Sequence, residues 1–317
     1  MTLIKTVCVT GCLGFMGSHF TRACLKRGWR VYGIDARTYA AREEWLVEFK
    51  KYRTFEFRHA DIAELDHLYD VDTIFNFAAE THVDNSILDS SRFLHSNING
   101  VQNLLELIRA KRHYEMPHFF QISTDEVYGD ITSGKHATTD PLRPSNPYSA
   151  SKASSDMLIM AWHRTHNVPF YIARPTNNYG IGQYPEKLIP KAVKYLSLGK
   201  PIPLHGDGSF VRNWLHVEDL VAAVLTIFEK GQPNKIYNVA GDHEISNLEV
   251  AGKVIDAYFG RKTKMEKFVK LQYVRQGEDV RYSLDDEEVR KLGWNNRRKF
   301  DVEIKKVVAY YKGKVVW

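Results

Sequence analysis

The segment TVCVTGCLGFMG, residues 6–17, joins a short apolar run to three glycines spaced three residues apart. Its first five residues predict a buried β-strand, and apolar residues at helical spacing, including Phe20 and Leu25, continue as far as Gly28. Strand, glycine turn and helix in this order favour a dinucleotide site, because glycines let the backbone approach a pyrophosphate and the N–H groups at a helix start attract its charge. The spacing departs from the common G-x-G-x-x-G, so a glycine turn without a ligand is the alternative. The predicted contacts to the dinucleotide in this turn are Gly11, Gly14, Phe15, Met16 and Gly17.

A second strand ends at Asp35, about twenty residues after the glycine turn. Dinucleotide-binding proteins place an acid here that accepts hydrogen bonds from the adenosine ribose and repels a 2′-phosphate, so Asp35 predicts NAD. Arg37 follows two residues later and could bind that phosphate, which leaves NADP as the less favoured alternative. Asp35 could also serve only to cap a turn.

Predicted strands and helices alternate from this point on. Further strands are predicted at 54–58, 73–77, 118–122, 170–173 and 235–239, and helices at about 91–112, 148–166 and 217–229. This alternation predicts an α/β fold, a Rossmann-type doubly wound parallel sheet with helices on both faces. Ligands of such sheets bind at the carboxyl ends of the strands, where most polar motifs of this chain lie.

Two more strand ends carry predicted cofactor contacts. Asp61 and Ile62 follow the third strand and could flank the adenine. Ala78 and Ala79 follow the fourth, where small side chains would let the backbone pass close to a dinucleotide. His82 comes next as a candidate substrate contact, although a surface histidine is the alternative.

The stretch 121–152 holds an unusual density of proton-handling side chains. Tyr148 precedes Lys152 by one helical turn, so both side chains would emerge on one face of a helix. A lysine ammonium there would lower the tyrosine pKa from about 10 and make Tyr148 a general base for an alcohol proton. Taken alone the pair is weak evidence, since an amphipathic tyrosine can simply lie beside a solvated lysine. The predicted catalytic residues are Thr124, Asp125, Glu126, Tyr148 and Lys152.

Composition is that of a soluble globular protein, with a net charge of +6 and a pI near 9.0. Basic residues are spread along the chain, which favours an anionic small substrate such as a nucleotide diphosphate over nucleic acid. Cys8, Cys12 and Cys24 lack zinc-type spacing, so we predict no metal site and a reducing compartment. The first apolar run is too short for a signal peptide and no stretch predicts a membrane span, so a cytoplasmic enzyme is expected.

After residue 175 the sequence pattern predicts loops and shorter helices and strands. A chain of 317 residues is a little long for one domain, so we predict a large domain with a smaller one appended. Residues 1–176 are assigned to an NAD-binding Rossmann domain, to which 213–240 returns, and 177–212 and 241–317 to a smaller C-terminal substrate-binding lobe. Within that lobe Lys187 and Arg212 could hold a diphosphate, the alternative being solvated surface cations.

With these motifs in place, the sequence resembles the extended short-chain dehydrogenase/reductase superfamily and, within it, the nucleotide-sugar 4,6-dehydratases of the dTDP-glucose 4,6-dehydratase type. The glycine turn and the Tyr148–Lys152 pair mark the superfamily, whereas Thr124-Asp125-Glu126 marks the dehydratases. The resemblance covers nearly the whole chain, through segments 10–17, 78–84, 123–129, 147–152, 174–175, 177–190, 206–208 and 212–219.

The resemblance implies a role for each predicted catalytic residue. Tyr148, kept as phenolate by Lys152 and the nicotinamide, would take the C4 hydroxyl proton of a hexose while hydride leaves C4 for NAD, and Thr124 would hold that oxygen. Glu126 would remove the C5 proton, and Asp125 would protonate the departing C6 hydroxyl before hydride returns to C6. Two adjacent carboxyl groups suit an acid and base pair, because their mutual repulsion separates their pKa values.

The resemblance also implies a nucleotide-diphosphate-sugar site and a homodimer. Its substrate contacts would be His82, Asn178, Lys187, Pro203, Leu204, His205, Arg212 and Asn247. Where the family usually carries Pro-Gly-His-Asp, this chain has Gln276-Gly277-Glu278-Asp279, which leaves dTDP-glucose, UDP-glucose and UDP-N-acetylglucosamine all open. Subunits of the family pair through two helices each, here the predicted helices at 91–112 and 148–166.

Three other functions compete with the dehydratase. A nucleotide-sugar 4-epimerase would use the same tyrosine and cofactor, and a bifunctional 4,6-dehydratase/5-epimerase would reprotonate C5 on the opposite face. A dinucleotide-binding protein without enzymatic activity would need none of the five predicted catalytic residues, so their joint presence argues against it.

Overall fold

The computed structural model describes residues 5–112 and 115–314. Its strands are β1 (Thr6–Thr10), β2 (Arg30–Asp35), β3 (Phe55–His59), β4 (Thr73–Asn76), β5 (His118–Ile122), β6 (Phe170–Pro175), β7 (Asn177–Tyr179), β8 (Ile202–His205), β9 (Val211–His216), β10 (Lys235–Val239), β11 (His243–Ser246) and β12 (Val269–Gln272). Its α-helices are α1 (Phe15–Lys26), α2 (Glu43–Phe49), α3 (Val83–Leu88), α4 (Ser91–Phe93), α5 (Gly100–Arg109), α6 (Pro147–His166), α7 (Leu188–Ser197), α8 (Val217–Lys230), α9 (Asn247–Phe259), α10 (Glu287–Lys291) and α11 (Phe300–Lys312).

Seven strands form one sheet in the order β10-β6-β5-β4-β1-β2-β3, and every neighbouring pair in it is parallel. Successive side chains of a strand point to opposite faces, so β1 sends Val7 and Val9 into one apolar core and Cys8 into another. The first core lies under α1, α2 and α8, and the second under α5 and α6. The predicted doubly wound parallel sheet with helices on both faces is therefore confirmed.

A smaller group of elements covers the carboxyl end of this sheet. β9 pairs with β7 in parallel and with β11 in antiparallel fashion, and β8 pairs with β12. Helices α7, α9 and α11 pack around a third core that includes Tyr179, Trp214 and Phe300. The substrate residues predicted after Pro175 thus lie next to the strand ends of the large sheet.

One predicted helix has a different form. The pattern predicts a continuous helix over 91–112, but a π-helical segment, Leu94–Asn99, separates α4 from α5, and α5 ends at Arg109. Asn97 in this segment exchanges two hydrogen bonds with the backbone of Glu80, at 2.9 and 3.0 Å, and donates a third to Ser151. These distant partners favour the wider turn, which periodicity along the chain does not reveal.

The strands give the domain division a physical basis. α8 and β10 return to the large sheet, whereas β9 belongs to the smaller group, so we propose that the returning segment begins after residue 216. Val289 and Trp294 also pack into the first core and rejoin the large domain. The predicted domain ends at 1–4 and 315–317 lie outside the described residues. Within the described ranges, no helix combines the length and apolar character that a membrane crossing requires.

Candidate active site

The glycine turn forms a cradle that only glycine can build. Gly11 has a φ of +65°, and a Cβ there would lie 2.7 Å from the backbone nitrogen of Ala78. A Cβ on Gly17 would overlap the carbonyl oxygen of Gly11. Gly14 stands at the N-terminus of α1, whose first N–H groups face the same cavity. A pyrophosphate fits such a cradle, which is what NAD requires.

Asp35 at the end of β2 lines the adjoining cavity, of about 540 Å³, and is buried. Its carboxylate accepts from the N–H of Leu13 at 2.9 Å and of Arg37 at 2.7 Å, so it also caps the turn. The guanidinium of Arg37 forms an ion pair with Glu43 at 2.8 Å. The cation that could have bound a 2′-phosphate is therefore already paired. This arrangement favours NAD over NADP.

The other predicted cofactor residues divide between two neighbouring cavities. Asp61, Ile62 and Ala78 line the cavity of Asp35. Gly11, Gly14, Phe15, Met16, Gly17, Ala79 and Tyr148 line the next cavity, which also contains Thr124, Asp125 and Glu126. The structure thus brings the predicted cofactor residues together with Thr124, Asp125, Glu126 and Tyr148 at one edge of the sheet, whereas Lys152, also predicted to contact the cofactor, lines neither cavity.

The catalytic residues are positioned by two elements. A 3₁₀ turn, Asp125–Tyr128, follows β5, and Thr124 caps it by accepting from the N–H of Glu126 at 3.3 Å. Helix α6 starts in a capping box in which Asn146 accepts from the N–H of Ser149 at 2.9 Å, and Pro147 takes its first position. The side chain of Asn146 also acts to lower the pKa of Glu126, so the start of α6 influences the turn after β5.

The two carboxyl groups lie in different charge environments. Burial, and next the charge of Glu126, raise the pKa of Asp125 to about 8. One oxygen of Asp125 accepts from Thr124 at 3.2 Å and the other is buried without a hydrogen-bond partner. Burial also raises the pKa of Glu126, but the positive charges of Arg212, Lys187 and Arg275 oppose that effect. Asp125 therefore holds a proton at neutral pH while Glu126 is the better-supported carboxylate.

Burial is the largest influence on the pKa values of both Tyr148 and Lys152. Burial, and next the charge of Glu126, raise the pKa of Tyr148 above its usual value, opposed by a hydrogen bond with Thr124. The Lys152 ammonium donates to the carbonyl oxygen of Ile122 at 2.7 Å, and burial lowers its pKa to about 8. Desolvation is thus the largest influence on the Tyr148 pKa in the protein alone, and the lowering of that pKa by Lys152 and the nicotinamide stays a prediction.

A buried ion pair lies behind this group. Asp156 stands one turn after Lys152 and accepts from Arg174 at 2.9 Å and from the hydroxyl of Ser123 at 2.9 Å. Arg174 also donates to the hydroxyl of Tyr128 at 2.6 Å. Both charged side chains are fully buried, so the pair fixes α6 against the strand end that carries Thr124.

All eight predicted substrate residues line one further cavity, which borders Glu126. Lys187 donates to the carbonyl oxygen of Thr81 at 2.7 Å, and Asn178 has a buried side-chain oxygen without a partner. His82 begins α3 and accepts from the N–H of Asn85 at 3.3 Å. The side chain of Leu204 packs into the lobe core, so it supports the cavity wall from behind.

Several residues of this cavity were not predicted. Arg275 pairs with Asp84 at 2.9 Å, and Glu278 bridges Arg212 at 2.7 Å and Arg275 at 2.9 Å. Other unpredicted lining residues are Gln183, Glu186, Lys191, Trp214, Gln272 and Tyr282. Two signals in the sequence pointed here: the acid at Glu278 in the departure from the family's Pro-Gly-His-Asp, and its spacing of three residues from Arg275, which allows a local ion pair.

The sequence matches the family model described as GDP-mannose 4,6 dehydratase over residues 8–307. It is 40% identical over 312 residues to the low-salt glycan biosynthesis protein Agl12 of Haloferax volcanii, covering 97% of this chain and 98% of that protein. It is 38% identical over 333 residues to a dTDP-glucose 4,6-dehydratase of Haemophilus influenzae, covering 97% and 98%.

The fold closely matches a solved structure as well. The crystal structure of DesIV from Streptomyces venezuelae, described as a dTDP-glucose 4,6-dehydratase with NAD and TYD bound, superposes with a TM-score of 0.91 at 36% sequence identity. The match covers 98% of this chain and 97% of that one, so the large sheet and the smaller lobe are both included.

Proposed function

This chain belongs to the GDP-mannose 4,6 dehydratase family of nucleotide-sugar dehydratases, and from that membership we infer that it converts a nucleoside-diphosphate hexose to the 4-keto-6-deoxy sugar. It is an NAD-dependent hydro-lyase. Two of the three proteins named above, those of Haemophilus influenzae and Streptomyces venezuelae, are described as dTDP-glucose 4,6-dehydratases, and we propose dTDP-glucose or a UDP-linked glucose or N-acetylglucosamine as the substrate of this chain.

The observation that carries this proposal is the unequal pair Asp125 and Glu126. An elimination across C5 and C6 needs a base for the C5 proton and an acid for the C6 hydroxyl. Asp125, whose pKa is raised to about 8, is available as the acid, and Glu126 lies among three cations that favour its ionised form. A 4-epimerase removes and returns hydrogen at C4 alone and needs no such pair.

We assign the first proton transfer to Tyr148. The phenol lies in the cavity with Thr124, whose hydroxyl would hold the same oxygen of the substrate, and in its ionised form Tyr148 would take the proton of the C4 hydroxyl. We propose that Lys152, one turn along α6, stabilises that phenolate. Bound NAD supplies the hydride acceptor for C4 and, once reduced, the donor for C6.

The elimination then uses the carboxyl pair. A ketone at C4 acidifies the C5 proton, which Glu126 removes, and Asp125 gives its proton to the oxygen that leaves C6 as water. The bonds broken are C5–H and C6–O, and the bond between C5 and C6 is double until hydride would reach C6 and Glu126 would return its proton to C5. Asp125 is buried and Glu126 is partly buried, so bulk water has limited access to these transfers.

The test is to incubate the protein with NAD and, separately, dTDP-glucose, UDP-glucose and UDP-N-acetylglucosamine, and to read product masses. Loss of one water from any of these supports the proposal. An isomer of unchanged mass, seen by proton NMR, would instead establish the 4-epimerase, and reprotonation on the opposite face of C5 would show in the same spectrum. The Glu126→Gln variant is expected to bind NAD and to lose turnover.

We also propose that the protein is a cytoplasmic homodimer. An apolar groove runs between the loop at 138–144 and α6, with Ile98 at its edge, and Met157 in its lining is 57% exposed. Its apolar lining residues include Ile98, Pro141, Leu142, Ala153 and Leu158. Light scattering of Met157→Glu should report a monomer, whereas Leu198→Glu, at a side chain 50% exposed away from the groove, should leave the dimer intact. A dimeric Met157→Glu would overturn this interface.

A further inference from the structure

Glu278 is an acceptor built into the wall of the substrate cavity. Its side chain is 4% exposed, and it lines the cavity together with Lys187 and Asn178. One oxygen accepts from Arg212 at 2.7 Å. The other lies 2.9 Å from the Nε of Arg275 but is not aligned for a hydrogen bond and has no other partner. An ionised carboxylate can accept about four hydrogen bonds, so Glu278 retains acceptor capacity.

A series of charged contacts connects Glu278 to both ends of the substrate cavity. Arg212 is the first of the cations that act on Glu126, at the reacting end. Glu278 joins Arg212 to Arg275, Arg275 pairs with Asp84 at 2.9 Å, and Asp84 lies 4.0 Å from His205 at the other end. Glu278 thus belongs to a network of charged groups that joins Glu126 to His205, and we place the ribose of the nucleotide along this network.

A carboxylate in this network cannot donate to a phosphate and repels it. A nucleotide sugar offers hydroxyl donors on its hexose and on its ribose, and the contacts of Glu278 through Arg275 and Asp84 toward His205 favour the ribose. A ribose presents two neighbouring hydroxyls, at C2′ and C3′, whereas a 2′-deoxyribose presents only the one at C3′. The two guanidinium groups hold the carboxylate in place, so it is preorganised to accept from such a pair.

We propose that Glu278 selects ribonucleoside-diphosphate sugars over 2′-deoxyribonucleoside-diphosphate sugars by accepting a hydrogen bond from the 2′-hydroxyl. This deepens the proposed function and rests on it for the nature of the ligand. The proposal predicts that this chain disfavours dTDP-linked sugars, whose deoxyribose lacks that hydroxyl. A site built around a hydroxyl discriminates strongly against the analogue that lacks it, because its buried acceptor is then left unpaired.

The direct test compares UDP with dUDP, which differ only in the 2′-hydroxyl, by titration calorimetry on the NAD-loaded protein. UDP is expected to bind roughly ten- to a hundredfold more tightly. Equal affinities would overturn the proposal. This measurement needs no turnover, so it remains decisive if no substrate loses water and the dehydratase assignment fails. Equal turnover of UDP-glucose and dUDP-glucose would overturn the selection while leaving the dehydratase in place.

The Glu278→Gln variant locates the effect. It keeps the shape and one acceptor but removes the charge, and the UDP preference should fall at least severalfold. The matched control is Glu229→Gln, a carboxylate paired with Arg27 at 2.7 Å on the surface, which should leave the preference unchanged. A preference retained in Glu278→Gln would show that another residue reads the hydroxyl. If that variant fails to fold, the wild-type comparison of UDP with dUDP still decides.

Discussion

Asp125 and Glu126 are neighbours in sequence at the end of β5, yet Arg212, Lys187 and Arg275 all act on Glu126, and of these cations Arg212 is the one that acts on Asp125. Asp125 is therefore protonated at neutral pH, whereas the positive charges around Glu126 favour its ionised form. This asymmetry assigns the acid and the base, and it makes the assignment testable.

Asp125→Asn is expected to stop the elimination and to spare the first oxidation. The amide cannot give a proton to the C6 oxygen, so the loss of water should slow by about 10²- to 10⁴-fold. Reduced cofactor should then accumulate after substrate is added, which its near-ultraviolet absorbance reports. Asp66→Asn, at an exposed carboxylate paired with Arg58, is the control and should turn over normally. Slow turnover without reduced cofactor would place Asp125 in the first step instead.

The rate of water loss should fall as pH rises past about 8. Asp125 must be protonated to act and its pKa is raised to about 8, and Lys152, with a pKa lowered to about 8, loses its charge in the same range. The measurement is kcat/KM between about pH 6 and pH 10. Lys152→Arg, which cannot deprotonate in this range, separates the two groups: a limb that persists near pH 8 belongs to Asp125. A flat profile would contradict the assigned acid.

Asp125 should also make the folded protein less stable at alkaline pH. Its folded pKa lies above that of the unfolded chain, so the stability linked to its proton is present below about pH 4 and is lost as pH rises through about 8. Asp125→Asn removes this loss, so its melting temperature should exceed that of the wild type at about pH 9 and approach it at about pH 4. Equal melting temperatures at both values would show that Asp125 is not protonated in the fold.

The strands of the large sheet could be predicted from the local sequence. Parallel strands buried on both faces are short apolar runs, and turn residues such as Gly11 mark the end of a strand. The π-helical segment could not be predicted from the local sequence, because Asn97 is held by Glu80 and Ser151, which lie in other parts of the chain. Sequence spacing can place two residues on one face of a helix. It cannot say what else surrounds them.

The site shows the same division between local and long-range information. The spacing of Tyr148 and Lys152 was informative about geometry, but burial and Glu126 decide the tyrosine pKa. Glu278 was visible as an acid in an unexpected place, whereas its contact with Arg212 spans 66 residues and needs the folded lobe. Residue types were therefore predictable and their electrostatic partners were not.

The buried pair of Asp156 and Arg174 should contribute to stability only as a pair. Arg174→Met removes the ion-pair partner of the buried Asp156, which is expected to cost about 3–5 kcal/mol in urea unfolding. The double variant with Asp156→Leu removes both charges and should recover most of that loss. Arg27→Met breaks an exposed pair of similar length and should cost at most about 1 kcal/mol. A double variant as unstable as Arg174→Met would show that packing, and not charge, governs this position.

The cradle formed by Gly11 and Gly17 should be the most sensitive part of the cofactor site. In Gly17→Ala the new methyl group overlaps the carbonyl oxygen of Gly11, so either the turn or the start of α1 must move away from the pyrophosphate position. NAD affinity measured by calorimetry is expected to fall at least tenfold, because backbone N–H groups displaced from that position no longer meet the phosphate oxygens. Gly313→Ala is the matched control: its Cβ meets nothing within 4 Å and its φ of −102° is open to alanine. Unchanged NAD affinity in a folded Gly17→Ala would mean that the pyrophosphate does not lie on this turn.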